Sequence, residues 1–294
     1  MSKLREALDA GRFAVVAELI PPKGVNVADM LAPVAALKDK IESFGLPDNK
    51  QAEMRLSALA ASRLVQEAGG EPLLHLSCRD RNRLALQSDL LGAAALGIEN
   101  LLLVSGDYVT LGDHPDAKPV YDADSAQLLQ VARRMMDGRD SAGQALHGNP
   151  TFYLGAVVVP EAEPPGPQFL KFKKKVTAGA QFFVTPPVFD LEKLRIFQRD
   201  MPAYPIKLLA GVKVLTPAEA AQAESGQWRQ VYRVPPEIWE RLQGKGEEDF
   251  FRAAVDLAGR LLRQIKEENL ADGVYLMALG RTDWLTDILK IAGI

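Results

Sequence analysis

The residues of this sequence best placed for acid–base chemistry are polar side chains set into apolar runs. Glu18 interrupts Val15-Val16-Ala17-Glu18-Leu19-Ile20-Pro21-Pro22. A carboxyl among Val, Leu and Ile loses hydration, which favours its protonated form, the form a general acid needs. The other reading of such a position is a carboxylate neutralised by an arginine or lysine. His75 shares strand parity with Leu73 and Ser77. It is either a buried histidine without chemistry or one pointing into a site. Asp107 follows Ser105-Gly106, where an Asx turn or a helix N-cap is as natural as a functional carboxylate. Gly106 suits close approach of the backbone to a ligand. Lys171, Lys173, Lys174 and Lys175 lie on one expected helix. They form a solvated face, or one or two of them hold a phosphate.

Other chemistry is disfavoured by what the chain lacks. Cys78 is the single cysteine, and His75, His114 and His147 are far apart, so neither a disulfide nor a metal-ligand spacing is present. There is no G-x-G-x-x-G after a strand and no P-loop. A net charge of -3 provides no basic field for nucleic acid. No stretch has the apolar length of a membrane span, and Met1 to Arg12 lacks the core of a signal peptide. The expectation is a cytoplasmic protein. Any redox chemistry would draw on an organic cofactor or another polypeptide.

Positioning these residues falls to an alternation of short apolar runs with segments of helical spacing, the pattern of a parallel βα architecture. Strands are expected at Phe13–Leu19, Lys40–Leu46, Leu73–Ser77, Asn100–Ser105, Phe152–Val159, Gln181–Thr185, Lys207–Val212 and Gly273–Leu279. A crossover helix is expected over Asp80–Leu96, with Leu84, Leu90 and Leu91 on its apolar stripe. Gly69-Gly70, Gly97 and Gly179 mark helix ends. Eight such units predict a (β/α)8 TIM barrel, with residues 1–294 as one domain. Its site would lie at the C-terminal ends of the strands. The long loops Gly106–Ala123 and Gly138–Pro150 fall there, and a nucleotide cofactor would cross the barrel mouth.

Longer strings carry a family resemblance. His75-Leu76-Ser77-Cys78-Arg79-Asp80-Arg81-Asn82-Arg83, running on through Leu86-Gln87-Ser88-Asp89-Leu90-Leu91-Gly92, resembles the signature of the methylenetetrahydrofolate reductases. So do Ala17-Glu18-Leu19-Ile20-Pro21-Pro22-Lys23, Ser105-Gly106-Asp107, Lys173 to Ala180 and Thr185-Pro186-Pro187-Val188-Phe189-Asp190. Ala210-Gly211-Val212 and Leu279-Gly280-Arg281 extend the match to the last strand. The third-strand string is specific; the lysine run alone is weak. The resemblance is to the short bacterial-type members, and the expectation is a chain of the catalytic barrel only.

The resemblance implies a flavoenzyme that binds FAD, with FMN as the alternative, and passes a hydride to 5,10-methylenetetrahydrofolate, giving 5-methyltetrahydrofolate. On this reading Glu18 protonates folate N10, and Asp107 lies near the flavin pyrimidine and stabilises the cation formed. His75, Ser105, Gly106, Asp107 and Tyr121 match flavin-contacting positions. Lys174 and Lys175 match the pair near the flavin phosphates. Pro186 and Arg281 match positions toward folate or nicotinamide. Several positions depart from the family: Pro47 stands for a threonine, Ser105 for an arginine, Pro186 for a glutamine, and Glu163 lies near a position that can be histidine. These bear on the electron donor, which is NADH, NADPH or a partner iron–sulfur or flavin subunit. The expected assembly is a homo-oligomer or such a complex. A flavin-free, folate-binding barrel subunit without catalysis is the competing reading. A corrinoid-linked methyltransferase barrel is a third, disfavoured by the third-strand string.

Overall fold

A computed structural model of the chain describes residues 1–200, 204–225 and 232–294. Eight parallel strands close into a barrel in sequence order, with β8 returning to pair with β1. The order is α1 (Lys3–Asp9), β1 (Ala14–Glu18), α2 (Ala28–Leu37), β2 (Ser43–Leu46), α3 (Ala58–Glu67), β3 (Pro72–Ser77), α4 (Arg83–Ala95), β4 (Asn100–Val104) and α5 (Ser125–Met136). It continues β5 (Tyr153–Val157), α6 (Pro165–Thr177), β6 (Phe182–Pro187), α7 (Leu191–Asp200), β7 (Lys207–Lys213), α8 (Pro217–Glu224), α9 (Pro236–Leu242), α10 (Glu247–Glu267), β8 (Gly273–Met277) and α11 (Thr282–Ile291). Short 3₁₀ turns occupy Lys50–Ala52 and Val109–Leu111. Every expected strand is present. The second begins at Ser43 rather than Lys40, because α2 ends in a polar turn through Lys40.

The strands are buried on both faces, as their apolar composition requires between a barrel interior and a ring of helices. One set of side chains fills the interior, including Val16, Leu73, Leu102, Phe182, Leu209 and Tyr275. Leu4, Ala7 and Leu8 of α1 join this set. Ser2 bonds Asn100 at the start of β4 at 2.6 Å, so α1 closes the end of the barrel opposite the mouth. The alternate strand residues, such as Val15, Ala17, Leu74 and Leu76, pack outward against the helices.

Helix starts follow local chemistry. The Asn82 side chain accepts from the N–H groups of Leu84 and Ala85, and Asp124 with Gln127 forms a capping box on α5. The packing of α4 corrects its expected stripe. Leu86, Leu90 and Ala93 are buried at helical spacing, whereas Leu84 is 72% and Leu91 42% exposed. Among the described residues no helix is long and apolar enough to cross a membrane.

Candidate active site at the barrel mouth

Glu18 is the last residue of β1 and is buried, 4% exposed, in register with Gly45 of β2. Its Oε2 accepts from the Tyr275 hydroxyl at 3.3 Å, and that hydroxyl is 3.1 Å from Nε2 of His75. Gly45 is required here: a Cβ at that position would run into the Tyr275 ring. Burial pushes the His75 imidazole down to about 4, with Glu18 opposing and Lys50 assisting, so the ring is neutral near pH 7. Burial, reinforced by the Glu18 charge, holds the Tyr275 phenol well above its usual range. The phenol has one hydrogen. Given to the carboxylate, it leaves its oxygen to accept from His75 Nε2–H.

The other carboxylate oxygen of Glu18 is ion-paired with Lys50. Lys50 is thus the cation that the second reading of Glu18 calls for. Lys50 itself was invisible to sequence reasoning because it belongs to no apolar run and to no quoted string.

Lys50 is delivered by a loop that the third-strand string holds in place. Arg79, 2% exposed, grips both oxygens of Asp80 at 2.7 Å and donates to the carbonyls of Asn49 at 3.2 Å and Asp107 at 3.4 Å. Arg81 grips Asp48 at 2.6 and 3.2 Å and reaches Asp89 at 2.6 Å. Asp48 also accepts the Ser77 N–H at 2.9 Å. Burial disfavours the charge on both arginines, and their carboxylates outweigh it. Asn49, Gln51 and Ala52 take φ of 47°, 57° and 58°, a region costly for residues with a Cβ. This loop closes over one side of the mouth. Both arginines and Asp80 belong to the motif, but Asp48, the partner of Arg81, lies outside it.

Asp107 is exposed at the rim and accepts the Gln51 N–H at 3.0 Å. It thus ties the β4 loop to the β2 loop, neither an Asx turn nor an N-cap. Tyr121, at φ 42°, donates to the Asp107 carbonyl at 2.9 Å. Ser105 Oγ accepts the Ser125 N–H at 3.3 Å. Gly106, at φ 91°, has β3 as its near neighbour, since a Cβ there would meet the Ser77 hydroxyl and come within 2.8 Å of Arg79 Cβ. Its glycine is needed for packing against the third strand.

A cavity of about 1120 Å³ opens at this end of the barrel. Lys50, Gln51, Ser105, Gly106, Asp107 and Tyr121 line one side of it, with Pro187, Lys213, Tyr232 and Met277 on the other. Lys213 is paired with Glu219 at 2.8 Å, which also accepts the Tyr232 hydroxyl at 2.7 Å. Burial opposes the Glu219 charge, but Lys213 outweighs it and lowers that carboxyl. Lys213 follows the last residue expected in the seventh strand.

The remaining expected site residues stand outside the cavity wall. Lys174 pairs with Asp124 at 3.2 Å, and Lys175 donates to the Val157 carbonyl at 2.7 Å at the end of β5. Burial and, after it, Lys171 push the Lys175 ammonium down to about 8. Pro186 is half-buried beside a register shift in β6, where Thr185 Oγ accepts the Gly211 N–H at 2.8 Å. Arg281 grips Asp283 at 2.6 and 3.0 Å and stacks over Trp284, facing an outer groove between α10 and α11. Pro47 is buried, and Glu163 pairs with Lys193 at 2.5 Å. Among the described residues no group of His, Cys, Asp and Glu is placed to hold a metal ion.

Comparison with known proteins places this arrangement among relatives. A family described as methylenetetrahydrofolate reductase matches residues 3–293. A probable methylenetetrahydrofolate reductase (NADPH) of Caenorhabditis elegans is 24% identical over 296 residues, covering 94% of this chain. The chain spans 42% of the length of that curated relative. A Clostridium thermocellum protein whose structure binds two copies of 5-methyl-5,6,7,8-tetrahydrofolic acid superposes with a TM-score of 0.64 and 13% identity, covering 99% of this chain and 98% of that one. EDTA monooxygenase from Chelativorans sp. BNC1 is similar with a TM-score of 0.59 and 10% identity, over 96% of this chain and 92% of its own. At these identities the solved structures share the fold.

Proposed function

The chain belongs to the methylenetetrahydrofolate reductase family, and from that premise we propose that its barrel mouth binds methylenetetrahydrofolate beside a flavin and reduces it to 5-methyltetrahydrofolate. The observation that carries this reading is a cavity whose wall holds Asp107 and, through Lys50, covers the buried Glu18. Glu18 lies beneath it behind Lys50, and Asp107 lies on its wall, the two linked through the Lys50-Gln51 segment. The volume of about 1120 Å³ exceeds the roughly 300–1000 Å³ typical of a single small-molecule site, which suits two stacked ring systems. The folate seen on the Clostridium thermocellum protein and the name of the Caenorhabditis elegans relative agree with this substrate class.

The residues present fit a flavin at its ring end. The backbone of Ser105, Gly106 and Asp107 and the ring of Tyr121 would hold the isoalloxazine at the cavity wall. Lys174, exposed and engaged only with an exposed Asp124, would hold the phosphates. Lys175 would have to leave the Val157 carbonyl to join it. When bound and reduced, FAD or FMN supplies the hydride. Glu18 delivers a proton to N10 of the folate, the bond from N10 to the methylene carbon breaks, and the five-membered ring opens to a cation on N5. Asp107 stabilises that cation through its negative charge. Tyr275, anchored by His75, fixes the orientation of the Glu18 carboxyl. Residues 1–294 then act as one flavin- and folate-binding domain, with electrons from NADH, NADPH or a partner redox subunit.

A second reading, a flavin-free folate-binding subunit, is favoured by the engagement of Lys174 and Lys175 with protein partners. The visible spectrum of the purified protein separates the two. Flavin absorbance that bleaches anaerobically with NADH or NADPH supports the reductase. A colourless chain that takes up neither FAD nor FMN overturns it.

A further inference from the structure

Lys50 stands between Glu18 and the cavity. Its side chain is 27% exposed and forms part of the cavity wall, whereas that of Glu18 is 5% exposed and does not. Among the described residues no other cation pairs with Glu18. The remaining groups facing the carboxylate are Tyr275 from β8 and His75 from β3. Both are neutral near pH 7, the histidine because burial lowers it to about 4. The charge of Glu18 is thus balanced by one ammonium. A buried carboxylate that loses its counter-ion is driven to take up a proton, because desolvation then acts unopposed.

The ammonium is mounted on a segment whose backbone is strained. Asn49, Gln51 and Ala52 hold left-handed backbone angles that cost energy in residues other than glycine. Buried Arg79 grips the Asn49 carbonyl at the root of the segment, whereas beyond Lys50 the Gln51 N–H rests on the exposed Asp107 carboxylate at the mouth. A ring system entering the cavity meets Lys50 and Asp107 before it can reach Glu18.

We propose that Lys50 is a displaceable counter-ion of Glu18: a pterin entering the mouth displaces the ammonium, and the stranded carboxylate takes up one proton from solvent for delivery to the folate. Lys50 is a positioning residue, since it acts through Glu18, and the inference rests on the folate reading above. The ammonium keeps its own proton and turns to water. The proton gained by Glu18 leaves with N10 in turnover.

The test is proton stoichiometry on binding, measured by titration calorimetry of the purified protein with 5-methyltetrahydrofolate near pH 7 in two buffers of different ionisation heat. The wild-type chain is expected to take up about one proton per ligand. Lys50→Met, which has no counter-ion for the ligand to displace, and Glu18→Gln are both expected to fall to near zero. Lys50→Arg should retain the uptake, which shows that the segment still folds and that charge is what matters. Wild-type binding without proton uptake overturns the counter-ion role, as does undiminished uptake in Lys50→Met. Absence of any binding heat in the wild-type chain overturns the folate reading itself.

Discussion

The Tyr275 hydroxyl lies 3.3 Å from a carboxylate oxygen of Glu18 and 3.1 Å from His75 Nε2, so one phenol joins β1, β3 and β8 beneath the mouth. Each of the three is buried. Strands therefore hold the Glu18 carboxyl from below, while the group facing it from above, Lys50, sits on a strained loop.

Glu18→Gln keeps the shape of the site and its hydrogen bond to Tyr275 but removes the transferable proton. Flavin reduction by the donor should stay within about twofold, while folate reduction should fall by about 10² to 10⁴. Anaerobic stopped-flow measurement of the two half-reactions reads both. An undiminished folate half-reaction would remove Glu18 from its assigned role.

His75 makes stability depend on pH in a defined sense. Its folded value of about 4 lies below the unfolded value of 6.5, so between these the unfolded chain binds the proton first. Stability is full above pH 6.5 and is lost as pH falls toward 4, by on the order of 3 kcal/mol. Urea denaturation at pH 7 and pH 4.5 should show His75→Gln less sensitive to acid than the wild-type chain. Equal sensitivity would show that the histidine does not titrate as its burial requires.

Asp48 holds Arg81 and the Ser77 N–H at the root of the loop bearing Lys50. Asp48→Ala leaves Arg81 with Asp89 alone and the buried Ser77 N–H without its acceptor, and should cost about 1–3 kcal/mol. The double variant with Arg81→Leu should recover a part of that loss. Chemical denaturation of the single and double variants measures the coupling. Simple additivity of the two losses would mean that the pair does not act as a unit.

Lys174 is exposed and its partner Asp124 is exposed, so their ion pair adds little to the fold. Lys174→Ala should change stability by less than about 0.5 kcal/mol and weaken flavin binding by about tenfold, the loss of one charge-assisted contact to a phosphate. Fluorescence titration of the apoprotein with FAD decides this. Unchanged affinity would place the phosphates elsewhere.

The barrel was legible from residues alone because each strand announces itself locally. Val15-Val16-Ala17, Leu101-Leu102-Leu103 and Phe182-Phe183-Val184 are apolar on both faces, and glycines at 69, 97 and 179 end the intervening helices at positive φ. Glu18, His75 and Asp107 stood out for the same reason, as polar residues where the pattern called for apolar ones or for a turn. The stripe of α4 is less legible because leucines occur on more than one of its faces, and which face meets the sheet is a matter of tertiary packing.

The partners of those residues were decided only in three dimensions. Tyr275 is 257 positions from Glu18 and 200 from His75, yet barrel closure sets β8 beside β1 and leaves Gly45 to make room for its ring. Lys50 reads as one more surface lysine until Arg79 and Arg81 draw its loop across the mouth. Hydrophobic periodicity encodes which residues are buried, since that depends on near neighbours in the chain. Which charge meets which carboxylate depends on the closure of the whole sheet, and no local stretch of sequence contains it.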